Sequence, residues 1–216
     1  SQLTFIGNEA FYECKSLTSI EIPSGVTEIE YDAFYGCSSL TSIDFVDNSQ
    51  LTSIEGGAFE GCSSLTSIDF GDNSQLTSIE GGAFEGCSSL TSIDFGENSQ
   101  LTSIESSAFS GCSSLTNIEL PSGVTSIEGD AFGNCTALTS IEIPSGVTFI
   151  GDLAFGGCSS LTSIVVESGN MVYDSRDNCN AIIETDINEL IAGCQNTVIP
   201  SSVTSIGDGA FSECSS

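Results

Sequence analysis

The chain of 216 residues carries 30 acidic residues, two basic ones and no histidine, and its formal net charge is −28. Hydrophobic residues make up 39% of the sequence, so the chain can fold around a core and is not a disordered acidic tail. The negative charge excludes nucleic acids and anionic lipid surfaces as partners, because both are bound through Lys and Arg. A basic protein, a divalent cation or a neutral ligand remains as a possible partner.

The ends of the sequence and its apolar runs bear on where the protein is found. No apolar run approaches the length that crosses a membrane, so we expect no membrane insertion. The sequence starts inside a repeat with SQLTFIG and stops at FSECSS, where other copies continue with LTSI. We therefore expect a fragment of a longer array, whose targeting signals lie elsewhere.

An internal repeat organises the whole chain. An Ala-Phe pair recurs eight times, and each time a cysteine follows the phenylalanine by three residues. Copies are spaced by 23 or 25 residues up to Cys158, and residues 56–80 recur at 81–105 with one change, Asp72 to Glu97. The repeated cysteines are Cys14, Cys37, Cys62, Cys87, Cys112, Cys135, Cys158 and Cys214. Such a period is typical of leucine-rich repeats.

Each unit predicts three short elements in chain order. The segment 18–22 (TSIEI) alternates polar and apolar residues, which indicates a strand with one buried face, and Pro23 begins a turn. The segment 26–29 (VTEI) predicts a second extended piece. The stretch 33–37 buries residues three apart, which predicts one turn of α or 3₁₀ helix.

Because no unit can bury its own apolar edge, the units must stack around a continuous core. We predict an α/β fold: a right-handed leucine-rich-repeat solenoid. Its short parallel strands lie on the concave face, and short helical turns or 3₁₀ segments lie on the convex side. Residues 1–216 form a single solenoid of about eight repeats.

The period is interrupted late in the chain, where an enlarged variant repeat spans 167–200. Within it, 178–194 (NCNAIIETDINELIAGC) has two apolar runs around a polar centre, which predicts one inserted β-hairpin. Pairing Glu184 with Glu189 would place Ile182 opposite Ile191.

The same pairing would place Cys179 opposite Cys194, within reach of a disulfide. Two buried thiols are the alternative. Arg176 is expected to form an ion pair with Asp174 or Asp177.

The unit resembles a known family. The segment 6–29 (IGNEAFYECKSLTSIEIPSGVTEI) is similar to the BspA-type leucine-rich repeat of secreted and surface proteins from bacteria and some protists. The block 173–207 also resembles a variant repeat of that family. This resemblance implies an extracellular or cell-surface protein that binds host proteins and performs no catalysis.

The composition argues against an enzyme. Without histidine, the usual general base and the Ser–His and Cys–His nucleophile pairs are missing. The phase-locked cysteines suit a tight gap in the core, and no C-x-x-C pair exists for zinc. Stacked Asp-Asn pairs at 47–48 and 72–73, with Glu-Asn at 97–98, could attract calcium but are equally a turn signature. We predict no catalytic residue, no metal and no cofactor.

The acidic residues are the best candidate for a binding surface. In each predicted strand, one carboxylate points outward between two buried residues, beside a column of small polar residues that includes Ser67 and Ser92. The carboxylates, which we call the acidic strip, are Glu21, Asp44, Asp69, Asp94, Glu119 and Glu142. A further column follows the second extended segment, at Glu30, Glu55, Glu80, Glu105 and Glu128.

Two functions fit this pattern. The first is a non-catalytic, adhesion-type module that binds a protein, either host extracellular matrix or a basic segment, through its acidic concave strand face. The second is a structural spacer or stalk that presents another domain, which near-identical copies favour. Solubility alone could also select the charges on a solvated face.

Overall fold

The computed structural model describes residues 2–47 and 49–214, wound into about seven coils of short strands with almost no helix. Strands are numbered in chain order. The first sheet is parallel and follows the solenoid through seven coils. Its strands are β1 (Phe5–Ile6), β3 (Glu28–Ile29), β5 (Ser53–Ile54), β7 (Ser78–Ile79), β9 (Ser103–Ile104), β10 (Ser126–Ile127) and β12 (Phe149–Ile150).

A second set of parallel strands is formed by the Ser-Ile-acid-apolar segments. One four-stranded sheet contains β2 (Ser19–Ile22), β4 (Ser42–Phe45), β6 (Ser67–Asp69) and β8 (Ser92–Asp94). A separate pair contains β11 (Ser140–Ile143) and β13 (Ser163–Val166). The segment 117–120 lies between them in the chain and forms no strand.

The third side of each coil consists of hydrogen-bonded turns, where the sequence predicts helical turns. Cys37 N–H donates to the Phe34 carbonyl at 3.1 Å, a turn bond, whereas Phe34 N–H donates to Ala58 of the next coil at 2.7 Å. Because alternate amides bond to the neighbouring coil, no run of helical bonds can develop. In residues 2–47 and 49–214 the one helix is the 3₁₀ helix Arg176–Asn178. The helical part of the predicted α/β class is therefore replaced by turns.

Stacked phenylalanines form the axis of the core. Neighbouring rings in the Ala-Phe column lie nearly parallel, with centroids 4.8 Å apart at one end and 5.7 Å at the other. This spacing follows from strands that lie roughly 4.8 Å apart. The column consists of Phe11, Phe34, Phe59, Phe84, Phe109, Phe132 and Phe155. A second row from the long repeats, Phe45 and Phe70, meets it edge-on at 6.5 Å and 6.3 Å.

The enlarged repeat adds a four-stranded sheet: β14 (Tyr173–Asp174), β15 (Ala181–Glu184), β16 (Glu189–Gly193) and β17 (Ser205–Ile206). β15 and β16 run antiparallel with Glu184 opposite Glu189. The register shifts between Ile182 and Ile183, so that Ile182 lies opposite Ala192 and not Ile191.

The register shift separates the two cysteines of this repeat. Ala181 lies opposite Gly193. Continued by one residue, this register would place residue 180, and not Cys179, opposite Cys194. Both thiols are free: Cys179 contacts the Ala181 carbonyl at 3.7 Å, and Cys194 contacts the Asn180 carbonyl at 3.4 Å.

Arg176 holds the enlarged repeat together. Its guanidinium contacts both carboxylate oxygens of Asp174 at 2.8–3.0 Å and donates to Asn188 at 2.8 Å. Its expected ion pair is therefore the one with Asp174.

Replacing Phe84 with alanine tests the dependence of the fold on the central stack. Phe84 is fully buried between two parallel rings, so Phe84→Ala should lower the free energy of unfolding by about 3–5 kcal/mol. Urea denaturation followed by far-UV circular dichroism measures this loss. Phe149→Ala is the control, because that ring is 47% exposed and its removal should cost less than about 1 kcal/mol. Equal losses would contradict the role of the stack.

Candidate functional site

The structure exposes every carboxylate of the acidic strip. Main-chain pairing sets Glu21 opposite Asp44 and Asp69 opposite Asp94, while Glu142 lies opposite Val165. Two carboxylates about 5 Å apart repel by roughly 0.8 kcal/mol in water. The exposed members are Glu21, Asp44, Asp69, Asp94, Glu119 and Glu142, flanked by exposed Ser67 and Ser92.

Two strip carboxylates have a structural role that sequence reasoning missed. One carboxylate oxygen of Asp69 accepts a hydrogen bond from Gly71 N–H at 2.9 Å, and Asp94 does the same for Gly96 at 2.8 Å. Gly96 has a φ of +71°, and a Cβ there would clash with the Gly71 carbonyl oxygen. The Asp-x-Gly spacing in the sequence was the available signal for this turn.

Threonines connect the coils beside the strip. Just before the second set of strands, five threonines donate both the amide and the hydroxyl to the threonine carbonyl of the previous coil, as Thr91 does to Thr66 at 2.9 Å. The amide contacts run Thr41 to Thr18, Thr66 to Thr41, Thr91 to Thr66, Thr139 to Thr116 and Thr162 to Thr139. The step from Thr116 to Thr91 is missing among the described residues, and the Thr116 hydroxyl contacts Asn117 at 3.4 Å.

We call this interruption, between 91–95 and 116–120, the break. It is confined to one side of the solenoid, because Thr125 N–H still donates to Thr102 at 2.9 Å and Phe109 N–H to Ala131 at 2.8 Å. β8 is therefore an edge strand facing the break, and β11 is an edge strand on its far side.

The break lies where the 25-residue repeats give way to 23-residue ones. The long turns stack on each other: Asn73 N–H donates to the Glu97 carbonyl at 2.7 Å, and Glu97 N–H donates to Asp72 at 2.7 Å. The next coil has the shorter turn that starts at Pro121, so no further long turn follows 96–99. The change in repeat length and the replacement of serine by Asn117 were visible in the sequence, but their consequence was not.

Two grooves flank the segment 117–120. The first has a volume of about 630 Å³ and is lined by residues that include Ser92, Asp94 and Glu119. The second has a volume of about 500 Å³ and includes Glu142 and Glu167. All the charged residues that line either groove are acidic.

The second acidic column is partly engaged within the protein. Ser78 donates to Glu80 at 2.9 Å and Ser126 to Glu128 at 2.6 Å, and Ser103 also donates to Glu105. On the turn side, burial raises the pKa of Glu60, with smaller contributions from Glu85 and Asp32.

The acidic turns are bonded to the backbone. One carboxylate oxygen of Asp72 accepts from Glu97 N–H, and one from Asp47 accepts from Asp72 N–H at 3.2 Å. Asn48 lies outside the described residues. Within 2–47 and 49–214, no group of three or more acidic or cysteine side chains is arranged to hold a metal ion.

The cysteine column is a row of buried thiols. From Cys37 to Cys158, each thiol donates to the carbonyl of the phenylalanine in the previous coil at 3.1–3.4 Å. All ten cysteines of the chain are free. Burial raises the pKa of Cys62 to about 12, and that of Cys158 likewise to about 12.

The repeated parallel strands, the threonine contacts and the buried phenylalanine column together define a solenoid of the leucine-rich-repeat class. The BspA type leucine rich repeat region matches residues 1–100, 73–182 and 191–216, in six copies. The chain belongs to the BspA-type leucine-rich-repeat family. This family is generally non-catalytic, and leucine-rich-repeat proteins generally bind proteins.

Solved structures agree with the family. A leucine-rich cell surface protein of Faecalibacterium prausnitzii is 36% identical with a TM-score of 0.81, over 98% of this chain and 56% of its own. The chain thus spans just over half the length of that protein. A leucine-rich-repeat protein of T. pallidum is 31% identical with a TM-score of 0.64, over 74% of this chain and 72% of its own. A leucine-rich-repeat protein of Bacteroides ovatus is 25% identical with a TM-score of 0.55, over 98% of this chain and 68% of its own.

A comparison with curated protein sequences finds no match. Residues 2–47 and 49–214 contain no helix that is long and apolar enough to cross a membrane.

The buried thiols predict how stability depends on pH. The folded-state pKa of Cys62 is about 12, above the value near 9.0 of a free thiol, so folding favours the protonated form. The stabilisation is complete below pH 9 and is lost as the pH rises through about 12. Urea midpoints measured from pH 7 to 11 should therefore fall above pH 9. Cys62→Ala should reduce this dependence, and an unchanged slope in that variant would contradict the assignment.

Proposed function

We propose that this chain is a protein-binding, adhesion-type module of a secreted or cell-surface protein. It binds its partner through the acidic strip, on the strand face that we expect to be concave, without catalysis. The observation that carries this proposal is the row of exposed carboxylates, in which the strand register sets Glu21 beside Asp44 and Asp69 beside Asp94. Both cations of the chain already contact their own neighbours, Lys15 with Glu13 and Arg176 with Asp174.

A cationic partner would relieve the repulsion along the strip. Bringing lysines or arginines against such a row replaces like-charge contacts with attractive ones, and it also steers the encounter at low salt. A basic segment of a host extracellular matrix protein has this chemistry. The F. prausnitzii structure, described as a cell surface protein, supports an extracellular or surface location.

A structural spacer is the second candidate, and one observation favours it. Residues 56–80 and 81–105 present almost identical side chains, including the pairs Ser67–Ser92 and Asp69–Asp94. Specific recognition of a protein generally relies on a few distinct residues, and this stretch lacks such differences. A spacer would bind none of the cationic partners that the first proposal requires.

Neutralising the centre of the strip tests the proposal. Asp69→Asn with Asp94→Asn removes two charges, while the amide oxygens can still accept the bonds from Gly71 and Gly96. We expect binding of a labelled oligolysine peptide, and of immobilised matrix proteins, to weaken about tenfold at low salt. Fluorescence anisotropy and surface plasmon resonance over a salt series measure this change.

A matched control places the same charge change elsewhere. Asp130→Asn with Asp152→Asn also removes two exposed carboxylates, but these lie outside the strip, on the turns that follow the first sheet. This control should bind nearly as the parent does. Equal affinity of parent, strip variant and control would reject the strip as the binding surface. An absence of binding to any cationic partner would favour the spacer.

A further inference from the structure

We propose that the break receives the partner as an added strand: an extended, lysine- or arginine-rich peptide segment that pairs its backbone with 117–120. This inference rests on the proposed function of the acidic strip. It identifies where on the strip the partner sits and the form in which it is recognised.

Unpaired backbone groups carry the proposal. In the described part of the chain, the N–H groups of Ile118, Glu119 and Leu120 donate to no neighbouring coil. β8 pairs only with β6 and β11 only with β13, so their edges toward the break are also open. An open strand edge is a template on which a peptide can add a strand.

The segment is already shaped like a strand. Asn117 and Glu119 are exposed while Ile118 is buried, which is the alternation of the neighbouring strands β6 and β8. Four residues extend over about 13 Å, enough to pair with a similar length of peptide. Little ordering of the protein would be needed before pairing, because the contacts of Thr125 and Phe109 hold the coil on its other sides.

Charge indicates the composition of the peptide. Asp94 and Glu119 line the first groove, and Glu119, Glu142 and Glu167 line the second. Basic side chains at alternate positions of an added strand would lie on the same face as these carboxylates, where opposite charges on neighbouring strands attract. A second copy of this chain is a poor occupant, because each copy carries a net charge of −28.

The size of the grooves is consistent with such a ligand. Volumes of about 630 and 500 Å³ lie within the range of roughly 300–1,000 Å³ that is typical of ligand sites. Exposed apolar anchors are scarce, and Val165, 42% exposed, stands at the far end of the second groove. Recognition must therefore depend on backbone bonds and charge.

Backbone methylation of a peptide probe tests the pairing. The probe is a labelled peptide of alternating lysine and valine, about seven residues long, which covers the segment with a margin at each end. Its partner probe has the same sequence with N-methyl groups on alternate amides, so that charge and side chains are kept while one hydrogen-bonding edge is blocked. We expect the methylated peptide to bind about tenfold more weakly, as for the loss of about two hydrogen bonds.

Hydrogen exchange locates the contact. Addition of the unmethylated peptide should slow exchange of those amides at 118–120 that point toward the added strand, while the amides of β9, which is paired on both sides in the first sheet, should change little. Matched variants give a second readout: Glu119→Gln should weaken binding of this probe about threefold more than Asp69→Asn, since only Glu119 lies in the break.

The outcomes separate this inference from the proposed function. Equal affinity for the two peptides, with unchanged exchange at 118–120, would overturn strand addition and leave a strip that binds by charge alone. If neither peptide binds at low salt, the inference and the cationic-partner proposal both fail.

Discussion

Each coil of this protein depends on the coils on either side of it for many of its backbone hydrogen bonds. Phe34 N–H donates to Ala58 and Thr41 N–H to Thr18, so the backbone of one repeat is incomplete without its neighbours. The apolar edge of a repeat is likewise covered only by the repeats beside it. Stability in such a solenoid is approximately a sum of nearest-neighbour contacts, and the requirement of a matching neighbour governs every other feature.

Matching neighbours explain why like residues stack on like. A parallel register sets Ser67 beside Ser92 and Asp69 beside Asp94, and the same rule produces the phenylalanine, threonine and thiol columns. For buried residues the repetition improves packing. For the carboxylates it produces repulsion. Asp69 and Asp94 also accept turn bonds, but an uncharged amide could accept the same bonds, so the charge of the strip is of functional interest.

Sequence reasoning was most reliable where periodicity alone decides the outcome. Alternation predicted the strand that includes Ile20 and Ile22, because burial of one face follows directly from period two. The recurring Ala-Phe pair, with its cysteine three residues later, predicted the burial of Phe34. Helical turns were wrongly expected around Ala33 and Phe34, because burial three residues apart is shared by a helix and by a turn bonded to the next coil. The register near Ile182 was missed because a bulge depends on packing across strands.

The break could not be foreseen for a related reason. The change in repeat length from 25 to 23 residues costs no hydrogen bond beside the first sheet, where Thr125 N–H still donates to the Thr102 carbonyl. The opposite change, from a short repeat to a long one, leaves all four residue pairs between β2 and β4 in place. In the described residues, β4 and β6 keep one pair where two long turns stack, whereas no strand pairing remains where a long turn is followed by a short one. The effect therefore depends on the order of the repeats and on the side of the coil as well as on repeat length.

At the break, the rule of matching neighbours is not met by the described residues of the chain. A solenoid that paired all its strands would present a uniform acidic face, with nothing to favour one position along it. An interruption leaves backbone N–H groups at 118–120 without a partner in a neighbouring coil, beside the carboxylates Asp94 and Glu119, and a basic strand is the partner that we propose for both. The need of each strand for a neighbouring strand, which stabilises the fold, would then also favour a partner that can pair as a strand.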